Sequence, residues 1–78
     1  MHFTVTVAHD ESEGVWYVES SDIPGLNAEA PSLDTLVEVI TDVAPDLIAT
    51  NVPGAVPDGN GTFPLHVEHV VNARVPAE

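Results

Sequence analysis

Apolar and polar residues alternate through two segments near the start of the chain, residues 2–9 and 15–20. This period of two is typical of half-buried β-strands, and the polar residues 10–14 between them (DESEG) are typical of a turn. The two segments therefore predict a β-hairpin. The apolar positions expected to face the core are Phe3, Val5, Val7, Trp16 and Val18.

The hairpin is followed by a turn signal, SDIPG, at residues 21–25. Pro24 restricts its own φ and pushes the preceding residue toward extended geometry, while Gly25 can adopt a positive φ. We therefore predict that Asp22, Pro24 and Gly25 form a structural turn. The next residues, Leu26–Ala30, have room for a short strand at the edge of a sheet.

A long amphipathic segment begins at Ser32, a good N-cap, with Asp34 in the first turn where a carboxylate favours the positive end of a helix. Its apolar residues recur at spacings of three and four, which predicts a helix reaching about Thr50. Pro45 removes one hydrogen bond and predicts a kink. The apolar stripe consists of Leu33, Leu36, Val37, Ile40, Val43, Ala44, Leu47 and Ile48.

Residues 51–62 are rich in proline and glycine and predict a loop, after which Phe63–Val75 alternates again as a last strand. The order β-β-β-α-β in residues 1–78 predicts a single α+β domain. Three antiparallel strands followed by a right-handed helical crossover give a mixed four-stranded sheet in the order 3-2-1-4, with one helix on one face.

The other face of this sheet is expected to be uncovered. It combines apolar and polar side chains, which makes it more apolar than an ordinary surface and favours self-association or a partner. We therefore predict a homo-oligomer, with a dimer favoured, or a partner-binding surface. The predicted interface residues are Val15, Tyr17, His66, Glu68 and Val70.

The composition narrows the classes of partner. The 78 residues include thirteen Asp and Glu but one Arg and no Lys, so the net charge is −12. A direct nucleic-acid ligand is not expected, because phosphate binding depends on Lys and Arg, whereas a basic protein would be attracted. The chain has no cysteine, no basic and apolar leader and no membrane-length apolar run, so we expect a cytoplasmic protein without disulfides.

Candidate chemistry is sparse. The carboxylates lie in turns or on exposed edges, and no nucleophile is placed beside a base, so we predict no catalytic residues, no cofactor and no metal. One alternative is a metal-binding or enzymatic remnant that uses His2, His66 and Glu68, which share a face of the predicted sheet. Another alternative is a self-assembling accessory domain.

The stretch GVWYVESSDIPGLNAEAPSLDTLVEVI, residues 14–40, resembles the N-terminal domain of HicB-type antitoxins and related short stand-alone domains. The resemblance covers about residues 2–50 and implies a degenerate RNase H-like fold that has lost catalytic carboxylates. It further implies binding and neutralisation of a small basic ribonuclease toxin, HicA. The matching residues are Trp16, Val18, Asp22, Ile23, Pro24, Gly25, Ser32, Leu33, Leu36 and Ile40.

Overall fold

The computed structural model describes residues 2–71, 73 and 75–76. Its elements are β1 (Phe3–Asp10), β2 (Val15–Ser21), β3 (Glu29–Ala30), α1 (Leu33–Asn51) and β4 (Leu65–His69). The four strands form one sheet in the order β3-β2-β1-β4. Strand β1 is antiparallel to β2 and parallel to β4, which confirms the predicted α+β architecture and strand order.

The hairpin contains an irregularity that the alternation did not predict. Val7 lies opposite Val18 but Thr6 lies opposite Ser20, so Glu19 is an extra residue in β2, as in a β-bulge. The extra residue reverses the direction of the side chains that follow it. Ser21 therefore lies opposite Val5 on the core side of the sheet.

Helix α1 begins where the sequence indicated. The Ser32 hydroxyl accepts a hydrogen bond from the Thr35 amide at 3.2 Å, which satisfies one of the free donors of the first turn. The helix continues through Pro45 and ends at Asn51, so the proline is accommodated inside it. Proline can be tolerated there because the carbonyl that it leaves unpaired belongs to Thr41, which is exposed to solvent.

The core lies between α1 and one face of the sheet. Helix residues spaced by four are buried and pack mainly over β2 and β3, while alternate residues of β1 meet them from the sheet. This spacing places them along one side of the helix. The buried apolar residues of this core are Phe3, Val5, Val7, Ile23, Ala30, Leu36, Ile40, Ala44 and Ile48.

Two strands are shorter than predicted. The predicted Leu26–Ala30 strand is reduced to Glu29–Ala30, because the Leu26 amide is used to close a turn on the Ile23 carbonyl at 3.2 Å. The predicted Phe63–Val75 strand is reduced to Leu65–His69. Pairing with β1 begins at Phe3, and the Val70 amide, just after β4, donates to the Val7 carbonyl. Asn72 and Arg74 of the predicted strand lie outside the described residues.

Candidate binding surface on the open face of the sheet

The face of the sheet opposite α1, here called the open face, is built from alternate residues of each strand. Phe3, Val5 and Val7 point to the core, so Thr4, Thr6 and Ala8 point to the open face. The β1–β4 register pairs Thr4 with His66 and Thr6 with Glu68, which brings two predicted interface residues onto this face.

An apolar strip crosses the open face at its hairpin end. Ala8 lies opposite Tyr17 of β2. On the other side of Ala8 is Val70, the residue after β4, whose amide donates to the Val7 carbonyl. Ala8 is only 7% exposed although it lies on the face opposite α1. Val15 lies two pairs farther along on the same face, opposite Asp10. Ala8 was not among the residues predicted for this surface, although its even position, shared with Thr4 and Thr6, was a usable signal.

An acidic groove borders this strip. It has a volume of about 770 Å³ and opens to solvent beside β2 and β3. Tyr17 lies opposite Glu29 of β3, so one wall is partly apolar and the other carries a carboxylate. The residues that line it are Asp10, Glu13, Val15, Tyr17, Val18, Asn27, Ala28 and Glu29. The pairing of the strands brings these carboxylates together around one groove, although they had been predicted to lie in separate turns and on exposed edges.

The carboxylate of Asp10 is already used by the hairpin turn. It accepts hydrogen bonds from the Ser12 hydroxyl at 2.8 Å and the Ser12 amide at 3.1 Å, and a further one from the Glu13 amide. The hydroxyl of Ser12, followed by the amide of Glu13, lowers the pKa of Asp10 below its ordinary value. The carboxylate therefore stays ionised at neutral pH and is a poor candidate for a general base.

The two histidines of the alternative metal hypothesis are neighbours on the open face. The rings of His2 and His66 have centroids 4.9 Å apart, at an interplanar angle of 61°. Glu68 lies two residues along β4, opposite Thr6. Within the described part of the chain, no group of three or more His, Cys, Asp or Glu side chains is arranged to hold a metal ion.

The other two histidines lie with Trp16 on the helix side of the sheet. The His9 ring stacks on the indole at 4.7 Å, and the His69 ring meets it edge-on at 4.6 Å. His69 is thus placed on the face opposite His66, as the alternation of β4 predicts. Both rings contact an aromatic neighbour, which is a structural role in packing.

The SDIPG turn joins the hairpin to the helix. The Asp22 carboxylate accepts from the Thr4 amide at 3.1 Å, and the Asp22 amide donates to the Thr4 carbonyl at 3.0 Å. Pro24 and Gly25 occupy the middle of a turn, with Gly25 at φ +85°. The Asn51 side chain donates to the Pro24 carbonyl at 3.1 Å. These contacts attach the end of α1 to the sheet and give the turn a structural role.

The loop at residues 58–62, between α1 and β4, closes on itself. The Asp58 carboxylate accepts from the Asn60 amide at 2.9 Å and from the amide and hydroxyl of Thr62. The Thr62 amide, then its hydroxyl, lowers the pKa of Asp58 below its ordinary value. Hydrogen bonds from within the loop therefore explain the position of the Asp58 carboxylate, which closes a turn.

Comparison with known proteins places the fold but names no activity. The chain is 28% identical to the hypothetical protein TTHA1013 of the extremely thermophilic bacterium Thermus thermophilus, over 92% of this chain and 99% of that one, with a TM-score of 0.71. No curated protein matches the chain. None of the helices in the described residues is long and apolar enough to span a membrane. Residues 2–76 match the model of a domain of unknown function, DUF1902, and the chain belongs to that family.

Proposed function

We propose that this protein is a non-enzymatic protein-binding module and that its open face binds a small basic protein. The observation that carries the proposal is the apolar strip of Tyr17, Ala8 and Val70 lying beside an acidic groove. A partner that offered an apolar side chain within a basic surface would match both features. The likeness of the SDIPG turn and the capped helix to HicB-type antitoxins supports a HicA-type ribonuclease toxin as that partner.

The apolar strip supplies the kind of contact that dominates binding energy. Interfaces usually have a desolvated centre surrounded by a polar rim, and tyrosine is enriched among their energetically important residues. Tyr17 is half-buried in the apolar strip, between Ala8 and Glu29 on the neighbouring strands. It can therefore bury its ring against a partner while its hydroxyl remains at the polar rim.

The charge supplies attraction over distance. A chain with a net charge of −12 accelerates the approach of a basic partner, and the acceleration declines as salt screens the charges. The same charge opposes direct binding of nucleic acid, so we propose that the protein acts on a nucleic-acid-binding partner rather than on its substrate. This role is consistent with a cytoplasmic location, which we also propose.

Binding to a purified HicA-type toxin tests the proposal. The wild-type protein is expected to bind it in isothermal titration calorimetry and to inhibit its ribonuclease activity, with an association rate that falls as salt increases. Tyr17→Asp should weaken binding by at least about tenfold, because it places a charge in the apolar centre.

Val56→Asp is the matched control, since it adds the same charge at a 70% exposed position in the loop after α1. Circular dichroism would establish that both variants are folded. Equal affinities for Tyr17→Asp and Val56→Asp would show that the open face is not the binding surface. A lack of any binding to such toxins would overturn the choice of partner.

A second candidate function rests on the His2–His66 ring pair. Two imidazoles 4.9 Å apart could contribute ligands to zinc or nickel, as in the alternative of a metal-binding remnant. Elemental analysis of protein purified without an affinity tag would favour this function if it found stoichiometric metal that His66→Ala removes. His69→Ala, on the opposite face, is the matched control.

A further inference from the structure

Strand β4 is an open edge of the sheet. The Phe3 amide donates to the Pro64 carbonyl at 3.1 Å, and the Val70 amide donates to the Val7 carbonyl at 2.9 Å. Because alternate residues of a parallel strand bond to the same neighbour, the even residues of β4 face β1. The amides and carbonyls of Leu65, Val67 and His69 therefore point away from the sheet. Among residues 2–71, no backbone hydrogen bond outside the strands reaches them.

The opposite edge of the sheet is much less available for pairing. Strand β3 is only two residues long and carries Glu29 next to the acidic groove, so its shortness and charge discourage another strand. Strand β4 has five residues, no proline and no lysine within it. Val67 is 38% exposed on the helix side of this edge. The two edges thus differ in length, charge and exposed apolar surface.

The β4 edge is also the less acidic of the two edges at which two copies of this acidic chain could pair. Of the thirteen carboxylate residues, β4 contains only Glu68, together with two of the four histidines. We propose that β4 pairs antiparallel with β4 of a second copy, with the two-fold axis at Val67. The paired strands would join two four-stranded sheets into one.

The charges on β4 favour this register over the two registers whose axis lies one residue away. Since Leu65, Val67 and His69 face outward, hydrogen bonding requires that odd residues pair with odd residues. A two-fold axis at Glu68 would place the two Glu68 carboxylates against each other, and an axis at His66 would pair two imidazoles. The axis at Val67 instead places each His66 opposite the other copy's Glu68 and pairs all five residues.

Pairing in this register has two consequences for the surfaces. On the helix side, the two Val67 side chains meet and are shielded from water. On the other side, the two open faces become one continuous face with a two-fold axis. The pairing does not depend on the proposed function, because it uses the edge of β4 and not the strip around Tyr17.

Single cysteines can identify the register, because the natural chain contains none. Opposed residues in a non-hydrogen-bonded antiparallel pair have Cα atoms about 4.5 Å apart, within the disulfide range of about 4.4–6.8 Å. Under mild oxidation, a mixture of His66→Cys and Glu68→Cys chains should therefore yield mainly the mixed disulfide dimer. Val56→Cys, in an exposed loop, is the control for random collision.

A charge exchange tests the same pairing without cysteine. In sedimentation equilibrium, Glu68→Lys and His66→Glu should each raise the dissociation constant of the dimer by about tenfold, since each spoils two opposed pairs. The double variant H66E/E68K should restore the wild-type value, because it places Glu opposite Lys again. Both positions are exposed in one protomer, so the fold should survive the changes.

The outcomes separate the possibilities. Preferential mixed disulfides and rescue by the double variant support the pairing at Val67. A monomer at all accessible concentrations, or dimers whose dissociation constant none of these variants changes, overturns it. Homodisulfides of either single variant in preference to the mixed product would also overturn it, since they require a different axis. None of these results alters the expected effect of Tyr17→Asp on partner binding.

Discussion

The two faces of β1 show how one strand serves two purposes. Toward α1, Val5 and Val7 are completely buried and form the floor of the core. Toward the open face, Thr4 and Thr6 are half-buried, and only Ala8 is enclosed. On β1, one side chain is therefore buried in the core and the next lies on the open face. We therefore expect substitutions one residue apart on β1 to separate effects on stability from effects on binding.

The largest expected effect lies on the covered face. Ile40→Ala removes a side chain that is 0% exposed at the centre of the helix stripe, and should lower the free energy of unfolding. The expected loss is about 2–5 kcal/mol, from lost burial and the cavity left behind. Urea denaturation followed by circular dichroism measures it.

Val43→Ala is the control on the same helix, because Val43 is 37% exposed. It should cost less than about 1 kcal/mol, since a partly exposed side chain leaves no closed cavity. Equal losses for the two variants would show that the buried position of Ile40 contributes no more to stability than the partly exposed position of Val43.

The second effect concerns the turn that holds α1 against the sheet. Gly25→Ala should lower the free energy of unfolding by about 1–2 kcal/mol, because an L residue is strained at a positive φ. The added Cβ would also lie 3.3 Å from the Asn51 amide nitrogen that donates to Pro24. The urea midpoint measures the loss.

Gly54→Ala is the control for the backbone strain. Gly54 has a similar φ of +80°, but a Cβ there would meet nothing within 4 Å. The difference between the two variants therefore reports the contact with Asn51 and not the backbone strain. A smaller loss at Gly25 than at Gly54 would show that the contact does not secure the helix end.

The features that sequence could predict are those with a local pattern and a consistent tertiary partner. The stripe through Leu36 and Ile40, the N-cap at Ser32 and the alternation of β1 each specify one buried face. The bulge at Glu19 has no such pattern, because Glu19, Ser20 and Ser21 are all polar and register is weakly specified without apolar residues. The bulge follows only from the observed pairing of β1 with β2.

The open face was predictable in part for the same reason. Tyr17 and His66 could be assigned to it by parity, but the acidic groove depends on which strands lie side by side. Asp10 and Glu29 are distant in sequence and line one groove because β2 lies between their strands. The length of β4 was overestimated because the alternation of the sequence continues to Val75, whereas the register with β1 extends from Leu65 to His69.

The smallest expected effect distinguishes carboxylates of the open face from those of the loop. Asp10 borders the groove and Asp58 does not, yet hydrogen bonds from their turns lower the pKa of both below 3.8. A lowered folded-state pKa stabilises the protein above the unfolded value, and the stabilisation is lost as pH falls through the folded value.

Asp10→Asn and Asp58→Asn should therefore each lower the Tm slightly at pH 7, and the differences from wild type should shrink on acidification through pH 3.8. Thermal melts between pH 2 and 7 measure this, and a difference that persisted at pH 2 would show that the ionised turn is not its cause. Association with the proposed basic partner, measured at pH 7, then separates the two residues. Asp10→Asn removes a groove charge and should slow association with a basic partner, whereas Asp58→Asn removes an equal charge elsewhere and should slow it less.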